Sequence, residues 1–409
     1  MEMSLHSLNV VLRLLSRRIA ILPLREMRRI AILLLLASSA LSCAAVKPVT
    51  AEQLEQILAA THTASDAQMA AQLSDLTLIE RLSPAVRSRC EADLPGPRAR
   101  QAFMALTDMS AFLDPPAAEI PAMAKPDSEA QRKMIALTVD YVSKTIHQLP
   151  NFYATRVTTT FQDNPSFDES KMSERRTIPN VFIISKPLHP IGRYSAAVLY
   201  RRGREEVHAE SAQSRAQGLT TSGEFGPILS MSLLDAAQGH LVWSRWEQGA
   251  AGPEAVFRFA VPAEKSHYEV SYCCIIKTDG VRVYYRQFSA YEGEITIDPS
   301  NGTILRLSLK ATGLKNTDPI VKANIMVQYG PVELGGRSYI CPLKGIALSL
   351  ASEVQPSLGA REEDFPPLQT SLNDVVFEQY HLYRADSRVL PGYTEEQLQK
   401  PPGDSKTPD

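Results

Sequence analysis

From Phe152 to Tyr383 the apolar residues recur at every second position, in short runs rich in β-branched and aromatic side chains. A period of two sends alternate side chains to opposite faces, so such runs form strands with one buried face. Ala323, Ile325, Val327 and Tyr329, for example, alternate with Asn324, Met326 and Gln328. Strands are expected over Phe152 to Phe161, Arg193 to Arg201, Glu205 to Glu210, Ile228 to Leu234, Leu241 to Trp246, Ala255 to Val261 and Tyr268 to Lys277. The pattern continues over Val281 to Ser289, Glu292 to Asp298, Thr303 to Ala311, Ile320 to Tyr329, Ser338 to Pro342, Gly345 to Ala351 and Val375 to Tyr383. Arg202-Gly203, Asp279-Gly280 and Gly335-Gly336 are hairpin-type turns, which makes the sheet antiparallel. Leu234 to Leu241 and Ile297 to Ile304 each place Asp and Gly four apart between apolar ends. Both read as hairpin turns, with too few carboxylates for calcium.

Ahead of this stretch the period is helical. Thr50 with Gln53 and Ser65 with Gln68 are capping-box pairs, and Ser83-Pro84 opens a third helix. Ala99, Ala102, Phe103, Leu106, Met109 and Leu113 trace one helical stripe. Pro115, Pro116, Pro121 and Pro126 then impose an extended connector. Ser128 with Gln131 starts a further helix through Ile135, Val139, Val142 and Ile146, which Pro150 ends. The expected fold class is α+β: a small N-terminal helical region, then a large antiparallel curved sheet, either half-barrel or open sandwich. Residues 1–46 form a signal or anchor segment, 47–126 the helical region with its connector, 127–390 a helix plus the β domain, and 391–409 a polar, Pro-rich disordered tail.

The signal assignment rests on order. Arg28 and Arg29 precede the apolar run Ile30 to Leu36, and small residues from Ala37 to Ala45 follow. Charged, apolar and small segments in that order specify export. Either Met1 or Met27 is the true start. Cys43 allows lipidation at a lipoprotein-type signal end; cleavage after Ala44 or Ala45, or retention as an anchor, are the other readings. The destination is the periplasm, the outer membrane or the medium. Loss of residues 1–46 would remove six Arg and two Glu, turning a net charge of −2 mildly acidic. Five Cys in 409 residues are too few for a disulfide scaffold. On alternating strands Cys274 and Cys341 face apolar company, as small buried hydrophobes or as a disulfide pair; a Cys273-Cys274 bridge is the strained third choice.

The order Tyr291-Glu292-Gly293-Glu294-Ile295-Thr296-Ile297-Asp298-Pro299-Ser300-Asn301-Gly302-Thr303-Ile304, then Val327-Gln328-Tyr329, Gly335-Gly336 and Tyr339-Ile340-Cys341-Pro342, resembles uncharacterised exported proteins of acidobacterial type. It is also similar to the lipoprotein-carrier folds LolA, LolB and RseB. That resemblance covers residues 255 to 385 and implies a curved sheet half-enclosing helices and holding acyl chains. Its motifs are turns and strand edges, so it carries no functional residue across.

No nucleophile elbow, zinc-binding helix, phosphate loop or dinucleotide glycine pattern is found, so no catalytic, cofactor or metal residue is assigned. Near-neutral charge without a basic stripe argues against nucleic acid. Two clusters are candidate ligand sites: Trp243 and Trp246, close to His240 and Glu247, and the strand-face row Arg282, Tyr284 and Arg286. For each, ordinary sheet packing or a solvated ladder is the competing reading. The expected function is a non-enzymatic envelope or secreted protein that binds an apolar small molecule, such as a lipid or acyl chain, or an envelope protein, on the curved sheet. Membrane attachment would run through the N-terminal segment. A hydrolase with a motif-free site and a purely structural interaction module are the alternatives.

Overall fold

The computed structural model describes residues 47–61, 63–163, 187–209, 217–277, 280–352 and 368–383. Residues 1–46, with the expected signal and Cys43, and the tail at 391–409 lie outside them.

The N-terminal unit begins with β1 (Lys47–Val49), which pairs in parallel with β2 (Leu76–Leu78). Four helices surround this pair: α1 (Ala51–Ala60), α2 (Asp66–Ser74), α3 (Pro84–Ala92) and α4 (Pro97–Met109). Both expected capping boxes form; Thr50 accepts from the Gln53 amide at 3.1 Å and Gln53 returns the bond at 3.0 Å. Asp66 accepts from the first amides of α4, at 2.8 Å from Ala99, so one carboxylate welds two helices together. Leu54, Leu58, Met69, Leu73, Cys90 and Phe103 make the unit's core. The Pro-rich connector leads to α5 (Ser128–Gln148). Its cap is Asp127, which accepts from the Ala130 amide at 2.8 Å, rather than the expected Ser128.

The remainder is dominated by one open antiparallel sheet. Its strands are β3 (Phe152–Gln162), β4 (His189–Arg201), β5 (Arg204–Ala209), β7 (His240–Gln248), β8 (Pro253–Val261), β11 (Tyr291–Ile297), β12 (Ile304–Ala311), β13 (Ile320–Leu334), β14 (Arg337–Ala351) and β15 (Gln369–Leu382). They lie in the order β5-β4-β3-β15-β14-β13-β12-β11-β8-β7. A second sheet has the order β10-β9-β6, from β6 (Gly218–Leu219), β9 (Glu269–Ile276) and β10 (Arg282–Phe288).

Each face of the large sheet carries a layer. On the apolar face Phe257, Ile295, Leu307, Leu309, Ile325 and Val327 pack against α5, against α6 (Pro227–Gln238) and against Val270 and Tyr272 of the second sheet. On the other face Ala105 and Ala111 of the helical region meet Phe161, Met326, Ile346, Leu348 and Leu372. Cover on both sides explains the runs in β13 and β14 that are buried without a break, Lys322, Asn324 and Ser349 included.

Several expectations change here. Ile228 to Leu234 is part of α6, opened by Pro227, because a short run that is apolar all round gives no usable period. Leu234 to Leu241 is therefore the last turn of α6 and its exit, where Gly239 donates to the Asp235 carbonyl at 2.8 Å. Ile297 to Ile304 is the hairpin turn expected, with Gly302 at φ +78°. Cys274 does not pair with Cys341. It is bonded to Cys273, while Cys341 is buried as a free thiol on β14 in the other sheet. Alternation gave both thiols apolar neighbours without revealing that their strands belong to different sheets.

Candidate functional site

The large sheet's outer four strands set charged side chains in register on the face towards the helical region. Pairing aligns His240, Ala260, Glu292 and Lys310 in one row across β7, β8, β11 and β12, and Val242, Arg258, Glu294 and Ser308 in the next. Arg245 and Arg306 stand one row further on, at either end of Val256 and Thr296. Ala260 and Ser308 are small, and the space above them is a cleft of about 510 Å³. Its far wall is the segment Ala111 to Asp114, just past α4, together with Arg81. That volume suits a small molecule.

A linked set of ion pairs holds the wall in place. Arg245 donates to both oxygens of Glu294, at 2.7 and 2.8 Å, and to Glu247 at 2.6 Å. Glu247 also accepts from Arg81 of the helical region at 2.6 Å and from Arg306 at 3.1 Å. Arg258 bridges Glu294, at 2.8 Å, and Asp114, at 3.1 Å. Burial would raise the Glu294 carboxyl, but the Arg245 and Arg258 guanidiniums outweigh it and hold the group down at about 2. Arg81 falls to about 10, because burial and then the Arg306 charge both oppose its proton. The lining thus presents fixed charges of both signs around Phe112, Leu113 and Val242.

His240 and Ser308 both line the cleft, yet β8 and β11 separate their strands. At ordinary strand spacing that is about 14 Å, too far for a nucleophile and its base. A second polar cluster lies nearby: Asp108 of α4 meets Lys344 of β14 at 2.8 Å and Arg87 at 2.9 Å, and Lys344 also bonds Asp374 of β15. Burial, and then the Asp108 charge, raise the Asp374 carboxyl to about 7, whereas at Asp108 the Lys344 and Arg87 charges outweigh burial and hold the carboxyl low. Among the described residues no group of three or more His, Cys, Asp or Glu is arranged to hold a metal. Likewise no helix among them is long and apolar enough to cross a membrane.

The two sequence-derived clusters lie elsewhere. Trp243 and Trp246 stack edge to face with ring centres 4.9 Å apart; Trp243 meets Phe257 on the apolar side, and the Trp246 indole donates to the Ala124 carbonyl of the connector at 3.0 Å. A register shift between Trp243 and Arg245 turns the indoles from the face that Arg245 and Glu247 occupy. Of that neighbourhood only His240 borders the cleft, and Glu247 sits beneath it. Arg282, Tyr284 and Arg286 form an exposed row on β10. Sequence reasoning missed Arg81, Asp114, Arg258, Glu292, Glu294 and Lys310. Opposite charges at alternate positions of neighbouring strands were the available signal, legible only once strand order is known. No family model, curated protein or solved structure matches this chain.

Proposed function

We propose that this chain is an exported, non-catalytic binding protein whose cleft takes a compact molecule bearing both an acidic and a basic group. One observation carries this reading: charges of both signs, immobilised by shared ion pairs, line a cleft of ligand size together with the apolar side chains of Phe112, Leu113 and Val242. The acyl chain first expected would lie along the apolar face, a place filled by α5, α6 and the second sheet, so the ligand moves to the opposite face. Export rests on the Arg28-Arg29, Ile30 to Leu36 and Ala37 to Ala45 order. The half-barrel reading is supported by register shifts in β7, β11, β13 and β15, since such bulges bend strands.

Native mass spectrometry of protein purified from its own cells tests the proposal, with thermal-shift measurements on zwitterionic amino acids and dipeptides. A small adduct or a raised Tm is expected for the wild type, and should vanish in Ala260→Trp, which fills the floor, and in Arg258→Ala. A wild type that neither carries an adduct nor responds to any such compound defeats the reading, as does binding that survives both substitutions.

A further inference from the structure

The edge of the small sheet is unlike the rest of the surface. On β10 the residues that face the protein, Val283, Tyr285 and Gln287, are half-buried, and Tyr285 packs onto the main core. The alternate residues Arg282, Tyr284, Arg286 and Phe288 all face outward. Tyr284 is 44% exposed and Phe288 63%, and the turn before them adds Val281 at 52%. Lys277, at the end of β9, is exposed as well. The acid on the two strands is Glu269, 3.6 Å from Arg286. Spaced two residues apart, the four outward side chains span roughly 20 Å along the strand, across a register shift between Val283 and Tyr285.

We infer that this face of the β9–β10 hairpin docks on an anionic lipid surface. A pocket ligand would touch one or two of these groups, whereas a plane touches all of them. The guanidiniums suit lipid phosphates, which accept their paired N–H groups. Tyr284 suits the headgroup level, and Phe288 and Val281 lose exposed apolar area only by entering the acyl boundary. A partner β-strand is the weaker fit, because charged residues on an edge strand oppose pairing. Sugar chains would leave Val281 against hydroxyl groups. The face is separate from the cleft, and neither proposal depends on the other.

The test uses the full chain, sedimented with vesicles of phosphatidylglycerol and phosphatidylcholine and with vesicles of phosphatidylcholine alone. Any anchoring through residues 1–46 is common to wild type and variants. Arg282→Glu with Arg286→Glu should weaken binding to the anionic vesicles by at least roughly thirtyfold at low salt. Phe288→Ser should weaken it on its own. Hydrogen exchange should slow at the amides of 281–288 with anionic vesicles only, and the outward position of these side chains should leave Tm unchanged. Equal binding by wild type and double variant overturns the inference, as do unchanged β10 amides. Equal protection by dextran sulfate would assign the face to a polyanionic glycan, and protection that grows with protein concentration alone would assign it to a second copy; each outcome rejects the lipid surface.

Discussion

Arg245 holds two carboxylates at once, and that makes the outer strands sensitive to acid. In the unfolded chain Glu294 gains its proton near 4.5, whereas in the folded protein it does so only near 2. The stabilisation is therefore complete above pH 4.5 and drains away as pH falls towards 2. It amounts to about 3 kcal/mol. Urea midpoints followed from neutral pH to about pH 3 should fall, and Glu294→Gln should flatten that fall. Replacing Arg245 by Met leaves Glu294 and Glu247 short of a partner and should cost about 3 kcal/mol. These residues were silent in the sequence because Arg245, Arg258, Glu294 and Arg306 become neighbours only through the pairing of β7, β8, β11 and β12. Trp243 and Trp246 spoke louder, as large aromatics close in sequence, and the bulge between Trp243 and Arg245 turned that signal towards packing.

Among the elements, helices α1 to α5 and most strands of the large sheet announced themselves locally. The period of two located β8, β10, β11, β12 and β13 closely, since each has at least one face with a plain alternation or an apolar run bounded by turns. Capping chemistry located α1 and α2 for the same local reason. By contrast α6 defeated the period, being buried against the sheet with Ile228, Leu229 and Ala236 inward and Leu233 also in contact. The β11–β12 turn shows how such contacts constrain single residues. Gly302 adopts φ +78°, and a Cβ built there would stand 2.3 Å from the Leu137 backbone of α5. Substitution by Val should therefore lift α5 from the sheet and cost about 3 kcal/mol. A loss below about 0.5 kcal/mol in equilibrium denaturation would show that α5 does not rest on this turn.

For the whole molecule, the helical region is joined to the sheet by a clasp. Lys344 meets Asp108 from one side and Asp374 from the other, with Arg87 behind. Lys344→Met strands the buried Asp374 carboxyl and leaves Asp108 to Arg87 alone, and should destabilise the protein by about 3 to 5 kcal/mol, more at high pH than at low pH, because Asp374 must then ionise without a counter-charge. An unchanged denaturation midpoint at high pH would remove the clasp from the account. The layer arrangement itself was only half legible. Helices first and strands later were plain from periodicity, yet the placing of layers on both faces depends on the connector rounding the β7 edge, where Trp246 straps it. No period encodes that route.

The last strand among the described residues, β15, lies between β3 and β14, near the centre of the large sheet. A ribosome therefore delivers the keystone after every other strand of that sheet. Until it arrives, β3 to β5 on one side and β7, β8 and β11 to β14 on the other are two separate ribbons with open margins, and neither can zip to the other. Assembly of the large sheet must wait for Gln369–Leu382, and a chain cut short before Gln369 would keep two sticky halves in place of one continuous sheet.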